Sequence, residues 1–356
     1  MHIPILLKEC VESLNLKAGD TAVDCTTNRA GHSLEIAKKI GKMGTLFCVD
    51  LDNQALKEAK IFLEKELSQD KRPKIFYVND NFRNLESILK GKRVDAVMAD
   101  LGVSSQEIDE SGRGFTFQKD EPLFMTLSDK VSKNTLTAKK ILNNWGEENL
   151  ADIIFYYGDE KYARRIAKNI CESRNKKEIN TTFDLVEIIS KSVPEKYKHG
   201  KTHFATKTFQ ALRITVNDEI KAEEDLLSFL PKALNEKGRA SILTFHSGED
   251  RVVKNVVKSN KDKIKLVVSV VACSDSFIEL SPVYSKIYSK IVSLNKIITN
   301  KEMKSIIPSA DIIDKLVFCV CIFLIYFNTI SIHFYIECYS FIIHISLTCR
   351  YRIHIY

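Results

Sequence analysis

The 356-residue chain is predicted to fold as an α/β protein, a doubly wound parallel sheet carrying an inserted all-helical domain. Three observations predict this. Short apolar runs alternate with helical stretches through residue 100, the pattern of parallel strands joined by crossover helices. From about Leu136 to Val193 the helical period dominates and no strand run intervenes. Apolar runs then return at residues 239–245 and 265–272. A charged fraction of 28% and a hydrophobic fraction of 44% describe a globular body rather than a disordered one. The expected boundaries are 1–105 for the first part of the sheet domain, 106–205 for the helical insert, 206–312 for the second part, and 313–356 for a hydrophobic tail.

Residues 2–16 read as an entry segment and a helix, with Leu6, Val11 and Leu14 apolar. Residues 21–25 are a first strand with Asp24 near its end. A loop of small and polar residues, 26–32, leads to a helix over 33–40, where Leu34, Ala37 and Ile40 share a face. Gly41 and Gly44 break that helix, and a second strand, 45–49, is followed by Asp50. Residues 52–67 form a helix with Leu56, Ala59, Leu63 and Leu67 in one stripe. A third strand spans 74–78, ahead of Asn79, Asp80, Asn81 and Phe82, and a fourth spans 94–99, ahead of Asp100. Residues 106–129 read as a polar loop containing Gly112 and Gly114. In the insert, Ile141, Leu142 and Trp145 group together, as do Leu150, Ile153 and Ile154, and Tyr162, Ile166 and Ile170. Its helix over 160–174 carries Lys161, Arg164, Arg165, Lys168 and Arg174, which read either as a solvated face or as a phosphate-contacting surface. Residues 208–230 read as largely helical, with Pro231 following, and the strand over 239–245 reaches His246.

In doubly wound sheets a ligand sits outside the carboxyl ends of the strands, where Asp24, Asp50 and Asp100 fall. A carboxylate at the end of the second strand suits a ribose diol, because it accepts from both hydroxyls. The first loop lacks G-x-G-x-x-G and holds only Gly31, so it is poorly built for a pyrophosphate. A nucleoside without phosphates needs less, and S-adenosylmethionine is one; on this stretch alone, any βαβ unit is an equal reading. The net charge of +7 permits a nucleic-acid partner. Cys10, Cys25, Cys48, Cys171 and Cys273 show no paired metal spacing, so they read as reduced thiols of a cytoplasmic protein that needs no metal. The first 14 residues lack the basic region and long apolar core of a secretory signal.

Several ordered stretches resemble one family, the cytosine-N4 methyltransferases of small-subunit ribosomal RNA (RsmH/MraW type). They are His2-Ile3-Pro4; Asp24-Cys25-Thr26 with Gly31-His32-Ser33; Asp100-Leu101-Gly102-Val103-Ser104-Ser105; Arg113-Gly114-Phe115; and Pro122-Leu123. Further along come Tyr162-Ala163-Arg164-Arg165-Ile166, Phe209-Gln210-Ala211-Leu212-Arg213-Ile214, Val216-Asn217-Asp218-Glu219, Phe245-His246-Ser247 and Glu249-Asp250-Arg251. The resemblance covers roughly residues 2–310 and implies a Rossmann-like methyltransferase sheet with a helical insert. It also implies S-adenosylmethionine as cofactor, and as partner the small ribosomal subunit, through a cytidine of the decoding region of its 16S RNA. Carried over by position, the cofactor residues are Ala30, Gly31, His32, Asp50, Phe82, Asp100 and Glu107. Asp50 would hold the ribose hydroxyls, Phe82 would pack on adenine, and Asp100 would act in catalysis by facing the exocyclic amine. Cys25 reads as packing; His246 reads equally as a structural hydrogen bond or a site residue. A homodimer is left open.

This chain departs from the family pattern at Asn28 and Ala30 in the first loop, at Glu107, and at Phe124 and Thr126, where an acid and an arginine are usual. Phe204 and Gly248 are lesser changes. A left-handed conformation at Ala30 would cost on the order of 1–2 kcal/mol. These departures imply weakened cofactor affinity and keep open a second reading, a catalytically weakened or inactive relative that binds RNA or the ribosome. Residues 316–336 carry no formal charge, where the family has a basic ending. A shifted reading frame near residue 313 is the first reading of this tail. A membrane anchor is the second, since the length can span a bilayer, and would make a membrane-tethered methyltransferase; a packed β segment is the third.

Overall fold

The computed structural model describes residues 4–103, 108, 111–260, 262, 332–338 and 341–347. The chain divides into two compact units, residues 1–275 and 276–356.

In the first unit five parallel strands form one sheet: β1 (Thr21–Asp24), β2 (Thr45–Asp50), β3 (Lys74–Asn79), β4 (Val94–Asp100) and β5 (Leu234–Leu243). Their order is β3-β2-β1-β4-β5. The chain steps outward from β1 to β3, then crosses to the other side of β1, so the topological switch lies between β1 and β4. Asp24 pairs with Cys48 on one side and Met98 on the other. Asp50 and Asp100 stand two residues beyond those partners, so the three acids end three adjacent strands.

Both faces of a parallel sheet must be covered. Helices α1 (Leu7–Ser13), α2 (Gly31–Ile40) and α3 (Asn53–Glu66) cover one, burying Val11, Ile36, Ile40, Leu56 and Leu63. Asp52 caps α3, accepting from the Gln54 and Ala55 N–H groups, which is why that helix starts at its expected place. On the other face lie α4 (Leu85–Leu89), and, late in the chain, α11 (Glu219–Ala233) and α12 (Ser247–Ser259), burying Leu89, Leu226, Leu230 and Val253.

Between β4 and β5 run α5 (Ala138–Asn144), α6 (Glu147–Tyr156), α7 (Ala163–Arg174), α8 (Thr182–Ser192), α9 (Glu195–Lys198) and α10 (Thr206–Asn217). Ile141, Leu150, Ile154, Ile166, Ile170, Ile189 and Leu212 share one core separate from those of the sheet. Thr181 and Asp184 form a reciprocal capping box at α8.

Some expectations are corrected. The largely helical stretch over 208–230 resolves into two helices, because Asp218 adopts a left-handed conformation (φ 50°) between α10 and α11. Pro231 lies inside the last turns of α11 rather than after it. Strand β5 begins at Leu234, earlier than expected, because Asn235–Gly238 forms an irregularity in its pairing with β4 and reads as a polar loop in sequence. The strand expected over 265–272 lies outside the described residues.

In the second unit Ile332–Cys338 (β6) and Phe341–Leu347 (β7) pair antiparallel. Residues 332–336, the end of the uncharged run, are therefore extended. Among the described residues no helix is long and apolar enough to cross a membrane.

Candidate active site

The loop after β1 is the first wall of the site. Asn28 (φ 44°) and Ala30 (φ 63°) are both left-handed, so Ala30 pays the penalty foreseen for it. Its methyl group is fully buried. Gly31 opens α2, and a Cβ there would lie 2.3 Å from Cγ of Pro4, so Pro4 and the loop glycine are pressed together. The carboxyl of Asp24 is buried and accepts from the Ser33 hydroxyl at 2.5 Å and the Thr26 N–H at 3.2 Å. Burial pushes it up to about 6 despite these hydrogen bonds.

Asp50 is held by backbone. Asn28 N–H donates to Oδ2 at 2.7 Å and Asp52 N–H to Oδ1 at 2.9 Å. A carboxylate accepts several hydrogen bonds, so these two do not by themselves rule out the diol reading.

Asp100 ends β4, its N–H donating to Thr26 Oγ1 at 2.7 Å. Burial, with the charges of Asp24 and Glu249, pushes its carboxyl up to about 7. His32 Nδ1 lies 3.9 Å from Asp100 Oδ2. Burial holds His32 down at about 4, so at neutral pH the imidazole is uncharged and the contact is no ion pair. His32 Nε2 and Asp100 Oδ1 are buried and have no hydrogen-bond partner among the described residues. Buried polar groups of this kind are rarely left so, and a polar ligand at the strand tips would satisfy both. The residues present therefore fit a nucleoside cofactor carrying donors and acceptors.

Phe82 begins a 3-10 turn (Phe82–Asn84) after β3. Together with Leu51, Leu101 and Gly102 it lines a narrow cleft that Leu127, Asn217 and Glu249 also border. Glu107 lies outside the described residues. Ala30, Gly31, His32, Asp50 and Asp100 gather at the tips of β1, β2 and β4, and Phe82 lies at the tip of β3.

Several residues that carried no assigned role in the sequence build the rest. Met125 N–H donates to the Arg113 carbonyl at 2.7 Å, while the Arg113 side chain donates to Leu127 O at 2.8 Å and pairs with Asp52 at 3.0 Å. Asn217 accepts from Leu127 N–H and donates to Met125 O, both at 2.8 Å. The loop is thus clasped on either side of Thr126, which is buried with no hydrogen-bond partner for its hydroxyl among the described residues, while Phe124 is exposed. Gly114 (φ 82°) is needed because a Cβ would meet Pro122 O at 2.3 Å. All of these except Met125, Leu127 and Asp52 lie in matched stretches or named departures, which is the signal that could have found them.

His246 turns out to be a cap: its Nδ1 accepts from Glu249 N–H at 3.2 Å. Glu249 is buried; His246, Arg213 and the Phe245 N–H outweigh that burial and hold its carboxyl below the usual range. Burial pushes the Cys10 and Cys48 thiols up to about 12 and raises Cys25 too, so none is a thiolate. Two cations of the basic helix are structural. Arg165 donates to Ser192 O, and Arg174 donates to Leu142 O at 2.8 Å and Trp145 O at 2.7 Å. Lys161 lies 5.1 Å from the ring centres of Tyr162 and Tyr197. Among the described residues no cluster of His, Cys, Asp and Glu could hold a metal ion.

Comparison with known proteins agrees with this architecture. The sequence profile of the MraW methylase family matches residues 1–307. The ribosomal RNA small subunit methyltransferase H of Finegoldia magna is 45% identical over 264 residues, 73% of this chain and 82% of that protein. The protein of the same name from Mesoplasma florum is 46% identical over 260 residues, 72% of this chain and 81% of its own length. That from Brevibacillus brevis is 41% identical over 258 residues, 72% and 80% respectively. With a match across most of its length, this chain belongs to the MraW methylase family.

Proposed function

We propose that the chain is a cytoplasmic S-adenosylmethionine-dependent methyltransferase that modifies N4 of a cytidine in the decoding region of small-subunit ribosomal RNA. The observation that carries this reading is the set of acids on three adjacent strand tips, with His32 Nε2 and Asp100 Oδ1 buried and unpartnered beside them. Family membership supplies the reaction class.

Bound S-adenosylmethionine supplies an electrophilic methyl group. The rest falls to the chain. Asp50, fixed by two backbone N–H groups, holds the ribose diol without reorganising. His32, neutral and buried, offers a ring nitrogen to the cofactor. Cytosine N4 is a poor nucleophile, because its lone pair is delocalised into the ring. Asp100 accepts from the N4–H, favours tetrahedral nitrogen and takes up the proton; a carboxyl pushed up to about 7 is suited to holding it. The loop clasped by Arg113 and Asn217 excludes water and sets the base in line. The helical insert, 106–205, brings the RNA to the cleft, with Lys161 and Arg164 as its phosphate contacts.

The test is transfer of labelled methyl from S-adenosylmethionine to small subunits lacking the mark, followed by nucleoside mass spectrometry. N4-methylcytidine supports the proposal; a methyl group at another atom refutes it. A second reading, a relative that binds without catalysing, draws on the left-handed Ala30 and the unpartnered Thr126 hydroxyl. Subunit binding with no transfer at any enzyme concentration would establish it.

A further inference from the structure

Glu223 is an acid on an apolar face. Helix α11 buries Ala222, Leu226, Leu227 and Leu230, and Glu223 lies among them at 1% exposure. Its spacing of three and four residues from Leu226 and Leu227 marks that face in the sequence. Neither carboxyl oxygen has a hydrogen-bond partner among the described residues. The side chain lines the strand-tip cleft with Leu51, Phe82, Leu101 and Gly102. Arg83, next to Phe82, pairs with Asp218 at 2.8 Å and Asp225 at 3.4 Å, pinning α11 to the turn after β3 on both sides of Glu223.

A buried polar group without a partner is costly, and a ligand in the cleft would relieve it. The inference rests on the reading of this cleft as the methyl donor's site. With the ribose at Asp50, the attached base lies toward Leu51, which follows β2, and Phe82, which follows β3. The Watson–Crick edge of adenine sets an acceptor, N1, beside a donor, the N6 amine. A neutral carboxyl sets an O–H donor beside a C=O acceptor, the complementary pair, whereas a carboxylate only accepts. Burial pushes Glu223 up to about 9, helped by Glu249 and Asp250 of α12 and by Glu224 and Glu219 of its own helix. Arg213 of α10, whose guanidinium comes within 4.0 Å of the position a Cβ on Gly102 would take in the cleft, pairs bidentately with Glu219 at 2.8 and 2.9 Å. Glu223 therefore keeps its proton at neutral pH.

We propose that Glu223 reads the adenine of the methyl donor, its hydroxyl donating to N1 and its carbonyl accepting from the N6 amine. Calorimetric titration of the full chain with S-adenosylhomocysteine at pH 7.5 tests this. Glu223→Gln, which keeps one donor and one acceptor, should bind within about threefold of wild type; Glu223→Leu should bind about tenfold or more weakly, with a thermal midpoint no lower than wild type. Wild-type affinity should fall above about pH 9 relative to Glu223→Gln. Equal affinity of wild type and Glu223→Leu would overturn the proposal while leaving the donor site intact. If Glu223→Leu does not fold, parallel pH profiles of wild type and Glu223→Gln would overturn it instead. Wild-type protein that binds no S-adenosylhomocysteine would overturn the underlying reading as well.

Discussion

Asp100 is the residue on which chemistry turns. Its carboxyl must be ionised to accept the N4 proton, and its environment pushes it up to about 7. Activity should therefore rise with pH below about 7 and level off above it. Asp100→Asn should lower kcat by about 100-fold or more, a usual size for a lost acid–base group, and should abolish the low-pH limb. Steady-state rates across pH 5–9 check both. At Ala30 two terms compete. The left-handed backbone costs on the order of 1–2 kcal/mol, and the buried methyl returns ~0.8 kcal/mol. Ala30→Gly should therefore stabilise the fold by up to about 1 kcal/mol, seen as a higher denaturant midpoint, and should not weaken donor binding. The strand-tip acids were legible because a polar residue after an apolar run marks a strand end, whereas Gly31 and His32 were singled out only through the matched stretch Gly31-His32-Ser33. Glu223 was passed over because one acid in a helical stripe reads as a surface charge until its burial is known. The role of His246 was readable only from its cap geometry.

Among the elements, the segment from Arg113 to Leu127 owes its course to two distant side chains. Asn217 holds both sides of Thr126, and Arg113 ties the same loop to Asp52 after β2. Asn217→Ala removes both of these hydrogen bonds and should cost roughly 1–3 kcal/mol. Because Leu127 borders the cleft, donor affinity should fall with it. Chemical denaturation and calorimetry together check this; lost stability with unchanged affinity would detach the loop from the site. The alternation of strand and helix that fixes the sheet was plain in the sequence, since buried parallel strands are continuous apolar runs. The break between α10 and α11 was not. Asp218 interrupts the helix by its own left-handed backbone, and neither Gly nor Pro marks the place. The early part of β5 was hidden for the opposite reason: Asn235-Glu236-Lys237-Gly238 has the composition of a turn while lying within a strand at the sheet edge.

At the scale of the whole molecule, the strand tips and the cleft beside them carry buried acids at a cost to the fold. Asp24, Asp100 and Glu223 bind their protons more tightly in the folded state, at about 6, 7 and 9. A folded state that binds more protons than the unfolded chain loses stability as pH rises, so these groups destabilise progressively from about pH 4 to 9. His32, held down at about 4, has the opposite sign and adds stability as pH rises toward its ordinary value. Above about pH 6.5 the acids, joined from about pH 8 by the buried thiols of Cys10, Cys25 and Cys48, all act in the same direction, and the thermal midpoint should fall from there to pH 9. Scanning calorimetry at constant ionic strength checks this, and Glu223→Gln should flatten the upper part of the decline. The most direct measurement of the central claim, that three neighbouring strand tips hold a methyl-donating nucleoside, is calorimetric titration of wild type and Asp50→Ala with S-adenosylmethionine. Saturable one-to-one binding that weakens about tenfold or more in Asp50→Ala is the predicted result. Wild-type protein that binds nothing, or an Asp50→Ala variant that binds equally well, would contradict it.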